Sequence, residues 1–235
     1  GVYVEDQHRD TLLYAQKLKL DIATFEPDSQ RVFIQDVLLQ NSVVNLRQYK
    51  GASSLNFQFI LDAFASGDTV VTDSSRWAVG VKGITLDNIR FTYRNENDTA
   101  RVKSMNFSDL VAQGVNGNIS DVTFDADTTR FLISNFSLTE KSGFILKKLS
   151  ANASISPVSL KMDKLRILTN KSNMVTDVTF QYKSYDDFNH FIDKVKMKLH
   201  FRSSVIEMED VAYFSSELQG LSKKIFLDGT VSGKV

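Results

Sequence analysis

The stretch Ile84-Thr85-Leu86-Asp87-Asn88-Ile89-Arg90-Phe91-Thr92-Tyr93 constrains the fold more than any other part of this chain. Ile84 and Leu86 alternate with polar residues, as in a strand with one buried face. Beyond Asn88 the apolar set moves to Ile89, Phe91 and Tyr93, the opposite parity. In a regular strand that slip would turn the second half to the other side. One extra residue at the Asn, in a bulge or tight corner, restores a single apolar face, and Asn tolerates the backbone angles required. The segment therefore reads as strand, corner, strand.

The pattern recurs. Val37, Leu39, Asn41, Ser42, Val44 and Leu46 follow it, as do Phe131, Ile133, Asn135, Phe136 and Leu138. Ile206, Met208, Asp210, Val211 and Tyr213 give a copy with Asp at the corner, and Leu160, Met162, Leu165 and Ile167 slip in the same way. Looser copies turn at Asp36 and Asp121, and Asp177, Val178, Phe180 and Tyr182 form a half-copy. Asn41 to Asn88 and Asn88 to Asn135 are both 47 residues, whereas Asp210 lies 75 beyond Asn135. The fold class expected is mainly β, with one or two short helices. Repeated antiparallel units would form an elongated, curved or U-shaped sheet. An ordinary sandwich with similar strands is the alternative.

Strands are also expected at residues 2–4, 18–22, 114–126, 144–155, 175–182 and 195–201, with further strand at 225–227 and 229–231. Helical spacing marks residues near 54–66, ending by Gly67, and near 185–193, the latter capped by Ser184. Residues 68–76 read as a polar loop, 77–93 as the central unit, and 102–111 as either strand or helix. No linker demands a domain boundary, so residues 1–235 read as one β-rich piece of a larger protein.

Lys plus Arg and Asp plus Glu are 28 each, which leaves no broad basic field for nucleic acid. With no cysteine, disulfides, thiolate metal sites and cysteine nucleophiles are excluded. His8, His190 and His200 are scattered without metal-ligand spacing. Asp121, Asp125 and Asp127 lack the Gly and distal Glu of a calcium loop, and Asp186-Asp187 suits a helix start. No phosphate-binding loop, dinucleotide fingerprint or nucleophile elbow is present. The chain is thus expected to be non-enzymatic and to need no cofactor or metal. Asn97, Asn106, Asn118, Asn135, Asn152 and Asn170 open Asn-x-Ser/Thr triplets, which are glycan acceptors in a secreted eukaryotic protein and otherwise chance in an Asn- and Ser-rich chain.

Lys194, Lys196, Lys198, His200 and Arg202 alternate with Val195, Met197, Leu199 and Phe201, which places five basic residues on one strand face. A solvated or edge-protecting face is one reading. Contact with anionic headgroups or an acidic partner, through Lys194, Lys196, Lys198 and Arg202, is the other.

Several segments resemble a known family. Tyr3-Val4-Glu5-Asp6-Gln7 with Asp10-Thr11-Leu12-Leu13-Tyr14-Ala15 is similar to the opening periplasmic segment of TamB-type translocation and assembly proteins of the AsmA-like superfamily, in their Bacteroidetes form. Asn56 through Phe64, Glu140-Lys141-Ser142-Gly143-Phe144, Leu149-Ser150-Ala151-Asn152 and Gly229-Thr230-Val231-Ser232-Gly233 add to the resemblance in order. It implies a periplasmic fragment of a protein anchored in the inner membrane by an upstream helix. A C-terminal region beyond it would work with a TamA-like outer-membrane barrel. It also implies a role in phospholipid movement between membranes, in outer-membrane protein assembly, or in both, through an apolar β groove. On this reading Leu86, Ile89, Phe91, Phe136 and Val211 line the groove, although the same alternation would build a closed core. A secreted or surface binding module is the alternative function.

Overall fold

The structure is a computed structural model that describes residues 1–29, 31–65, 78–98, 104–125 and 127–234. Trp77, the expected polar loop at 68–76, Gly67, Val102 and Ala126 lie outside the described residues. The protein is mainly β, with 67% of it in strands. It divides into two compact units, Gly1–Asn116 and Gly117–Val235, and the boundary falls inside one strand.

In the first unit β1 (Val2–Glu5), β2 (Thr11–Glu26), β3 (Arg31–Gln48) and β4 (Ala78–Asn95) are hydrogen-bonded in chain order, followed by β5 (Asp109–Asp125). Helix α1 (Gln58–Ala65) lies between β3 and β4 in sequence. In the second unit the order runs from β5 through β6 (Thr128–Glu140), β7 (Ile145–Ser156), β8 (Ser159–Thr169), β9 (Asn173–Gln181) and β10 (Lys196–Glu207) to β11 (Lys224–Gly233). A 3₁₀ turn (Tyr185–His190) runs into α2 (Phe191–Lys194), and α3 (Met208–Val211) follows β10. Each unit is thus a sheet of sequential neighbours, not the two stacked sheets of a sandwich. Among the described residues no helix is long and apolar enough to cross a membrane.

The 47-residue interval has a structural origin. β3 and β4 are parallel, and every pair, from Arg31 with Ala78 to Gln48 with Asn95, is 47 residues apart. An all-antiparallel arrangement was expected. A parallel pair needs a crossover of a dozen or more residues, and the chain between Gln48 and Ala78 is long enough to make one. Three side-chain hydrogen bonds keep the same offset: Gln40 Nε2 to Asp87 Oδ2 at 2.5 Å, Asn88 Nδ2 to Asn41 Oδ1 at 2.7 Å, and Thr92 Oγ1 to Asn45 Oδ1 at 2.7 Å.

Several boundaries differ from expectation. Residues 31–48 form one strand, and the slip near Asp36 is absorbed by leaving Gln35 out of both ladders, with no left-handed residue there. Strand β2 begins at Thr11, since its partner β1 extends the ladder backward. In the ambiguous segment, strand starts only at Asp109. Ser184 makes no side-chain cap. Asp187 instead reaches back over the start of the turn, its Oδ2 accepting from the Lys183 N–H at 2.7 Å. In the second unit Ala151, Leu165 and Val178 form a buried core cluster, flanked by Leu149, Met162, Ile167, Phe180 and Leu199.

Candidate functional site

The corners are single left-handed residues. φ is 48° at Asn41, 56° at Asn88, 53° at Asp121, 53° at Asn135 and 53° at Lys164. Such angles favour Gly, Asn and Asp, whose short polar side chains tolerate them. A corner residue drops out of the ladder and leaves its N–H without a strand partner. At three corners the following strand supplies an acceptor. Asn88 N–H donates to Asn116 Oδ1 at 2.8 Å, Lys164 N–H to Asp177 Oδ1 at 2.7 Å, and Ser203 N–H to Asp228 Oδ2 at 2.9 Å. Asp177, expected as a half-copy, is therefore the acceptor for a neighbour's corner and not a corner itself.

Because of these corners the apolar set stays on one face. In β4, Leu86 and Phe91 are half-buried on that face and Ile89 is 3% exposed, whereas Thr85 and Arg90 point to the other side. Leu86 pairs with Leu39, Ile89 with Ser42, and Phe91 with Val44. Toward the far end of β2 the same face is uncovered. Leu20 opposite Val37, Ile22 opposite Ile34 and Phe25 opposite Val32 are 45%, 49% and 63% exposed. In the second unit Phe136 follows the Asn135 corner and pairs with Leu149. Its ring needs Gly117, where an added Cβ would lie 2.7 Å from Phe136 Cδ2 and 3.0 Å from its Cα.

The last corner is elsewhere than expected. Residues 208–213 are not a strand: β10 stops at Glu207, and Asp210 lies buried in α3. Met208, Val211 and Ala212 recur at helical spacing, and this was the missed signal. The left-handed residue of β10 is Ser203, with φ 41°. Beyond it the buried position is filled by Ser204, 1% exposed, whose hydroxyl hydrogen-bonds both N–H and C=O of Val175. A polar residue satisfied in this way leaves no trace in a hydropathy pattern.

Segment α3 covers one end of the second unit's apolar face and leaves a pocket of about 340 Å³. Phe144, Leu149, Ile167, Met174, Val211 and Phe214 supply apolar walls. Asp210 closes it with polar groups: Thr169 Oγ1 and Ser172 Oγ both donate to Asp210 Oδ2 at 2.5 Å, and Ser172 Oγ accepts from the Glu207 N–H at 3.0 Å. Phe144 also packs edge-on against Tyr213 and Phe214, with centroids 5.7 and 5.1 Å away. The pocket has the size and mainly apolar lining of a small-ligand site. Of the five residues expected to line a groove, Val211 alone borders it. Leu86, Ile89 and Phe91 lie in the first unit, and Phe136 lies on β6.

The basic stripe runs along β10 from Lys196 to Arg202, while Lys194, expected on the same strand, ends α2. The stripe is not edge-protecting, because β10 is paired on both sides, with β9 and β11. Lys196, Lys198, His200 and Arg202 are exposed on the face opposite Met197, Leu199 and Phe201. Arg202 ion-pairs with Asp177, Lys194 with Asp187 at 3.7 Å, and His200 Nδ1 meets Thr230 Oγ1 at 2.9 Å. The hydrogen bond from Arg202, with that from the Lys164 N–H, holds the Asp177 carboxyl below the ordinary carboxylate range. At Asp187 the Lys183 N–H has the same effect.

Sequence reasoning missed a polar knot in the first unit. Asp6 accepts hydrogen bonds from the His8 and Asp10 N–H groups, from Tyr49 Oη at 2.6 Å and from Asn56 Nδ2 at 2.9 Å. Burial works to raise this carboxyl, but these bonds outweigh it and hold it below its ordinary value. Tyr49 is pushed upward by burial and by its hydrogen bonds to Asp6 and Asp10. His8 stacks on Tyr49, with ring centroids 3.8 Å apart. The knot joins residues 3–15 to residues 56–64, two of the segments on which the family resemblance rests. Asp125 is engaged by Arg130 at 3.1 Å, and Asp121 is a corner. Among the described residues no three His, Asp or Glu side chains converge as a metal site would require.

No family model, no curated protein and no solved structure matches this chain.

Proposed function

We propose that this chain is a non-enzymatic scaffold of the cell envelope, of the TamB or AsmA-like kind. Its apolar sheet faces would accompany the acyl chains of phospholipids, or support outer-membrane protein assembly, within the periplasm. Anchoring through an upstream helix and action with a TamA-like barrel through a C-terminal region belong to the same proposal. One observation carries it: left-handed corners keep the apolar residues of each strand on one face, and on β2 that face leaves Leu20, Ile22 and Phe25 exposed. Moving an acyl chain into water costs about 0.8 kcal/mol per CH₂, so a ~16-carbon chain faces a cost of about 12 kcal/mol. Apolar surface along the route removes most of that cost without any reactive group.

The test is photo-crosslinking in cells, with a photoreactive residue replacing Leu86, Phe91 or Phe136 and with Thr85 and Arg90 as opposite-face controls. Phospholipid adducts at the three apolar positions and none at the controls are expected. Folded protein without adducts at any of them would make the face a closed core and overturn the proposal.

A further inference from the structure

Several basic side chains of the second unit are paired with carboxylates, but one group of lysines is not. Lys171 is paired with Glu209, Lys224 with Glu207, Lys194 with Asp187 and Arg202 with Asp177. Lys196 and Lys198 on β10 and Lys234 just beyond β11 have no acidic partner among the described residues. All three border a single concavity of about 410 Å³, together with Thr179, Gln181, Ser232, Gly233 and Met197.

The sheet register explains why they meet there. Lys196 is opposite Gln181, and Lys198 lies between Thr179 on β9 and Ser232 on β11. Directly paired residues share a face, so ammonium, hydroxyl and amide groups all project to one side. Lys161, opposite Thr179 on β8, extends the same row by one more cation. The set is rich in donors, and none of its members carries negative charge. Three ammonium groups so close together repel one another unless an anion sits among them. Lys gives three freely rotating donors and suits a phosphate as a point charge.

We infer that this concavity binds a phosphate-type oxyanion through Lys196, Lys198 and Lys234, with Thr179, Gln181 and Ser232 as neutral donors. The lysine side chains project from the side of the sheet opposite Leu199 and Phe201, and Met197 borders the concavity from the strand between them. The lysines thus point away from the face that the acyl-chain proposal uses, and the site is argued independently of that proposal. The oxyanion is supplied either by a soluble phosphate or by the phosphates of a membrane surface facing this side.

Inorganic pyrophosphate titrated calorimetrically into the 235-residue protein at low salt tests the first source. Sedimentation with vesicles containing an anionic phospholipid, against purely zwitterionic vesicles, tests the second. The double variant Lys196→Gln/Lys198→Gln is compared with Lys17→Gln/Lys19→Gln, which removes the same charge from β2, and circular dichroism checks that both are folded. Saturable pyrophosphate binding, weakened about tenfold or more only by the β10 variant, supports the site with a soluble source. Vesicle binding with the same variant dependence, and no pyrophosphate binding, supports it with a lipid source. Absence of both, or equal loss in the two variants, overturns it. Lipid crosslinks at Leu86, Phe91 or Phe136 can fail or succeed whatever this result is.

Discussion

Lys164 holds a left-handed conformation, φ 53°, that an L-residue with a Cβ adopts at a cost of roughly 1–2 kcal/mol. At Asn41, Asn88 and Asn135 the residue type lowers that cost, whereas at Lys164 nothing in its exposed side chain does. Lys164→Gly is therefore expected to raise stability by up to about 1 kcal/mol, read from the urea midpoint at unchanged slope. A lower midpoint would mean that the Lys side chain contributes more than its backbone costs. Asp177 works at the same corner. Its carboxyl is depressed by the hydrogen bond from Arg202 and by that from the Lys164 N–H, so its folded pKa lies below the unfolded one. Its contribution is complete above the unfolded value of about 4 and is lost as the pH falls through the folded value. Asp177→Asn should therefore reduce stability at neutral pH and show a shallower decline in acid than the parent, where Asp6 and Asp187 continue to titrate. Parallel acid curves for the two proteins would contradict this.

At the scale of elements, α3 is one turn of helix with no side-chain cap, too short to persist on its own. It is held by Asp210 to Thr169 and Ser172 of the β8–β9 turn, and by Phe214 to Phe144. Asp210→Ala removes the acceptor of two buried hydroxyls. It is expected to cost about 1–3 kcal/mol and to speed hydrogen exchange at residues 208–214 more than at β8 and β9. Uniform acceleration across the second unit would instead make α3 an integral part of its core. This contact also marks where sequence reading stopped. Apolar parity located the corners at Asn41, Asn88 and Asn135, and a slip between Met162 and Leu165 where Lys164 turns, because a slip of one residue changes which side chains are buried. It missed Ser203, where the buried residue is polar and satisfied by Val175. It misplaced Asp210, whose partners are 38 and 41 residues away.

For the molecule as a whole, the strands and their shared apolar face were readable, since both follow from alternation within a strand. The parallel joining of β3 to β4 appeared only as an unexplained interval of 47 residues, because periodicity carries no direction. The basic stripe was likewise visible on β10, while its neighbours were not. Thr179 and Ser232 come beside Lys198 only through the register of three strands. Any lipid contact within either unit would rest on the readable part, the apolar face of its strands, and any anion site on the part that needed the structure. The two proposals rest on different observations and have separate tests.

The match between β3 and β4 is locked from within. Asn41 meets Asn88, Gln40 meets Asp87 and Asn45 meets Thr92, whatever lies between the two strands in sequence. Alignment written into the strands themselves frees the intervening chain from serving as a ruler. Descendants of such a protein could lengthen or shorten that connection without sliding one strand past the other, and a duplicated strand would find its place beside its parent by the same three contacts.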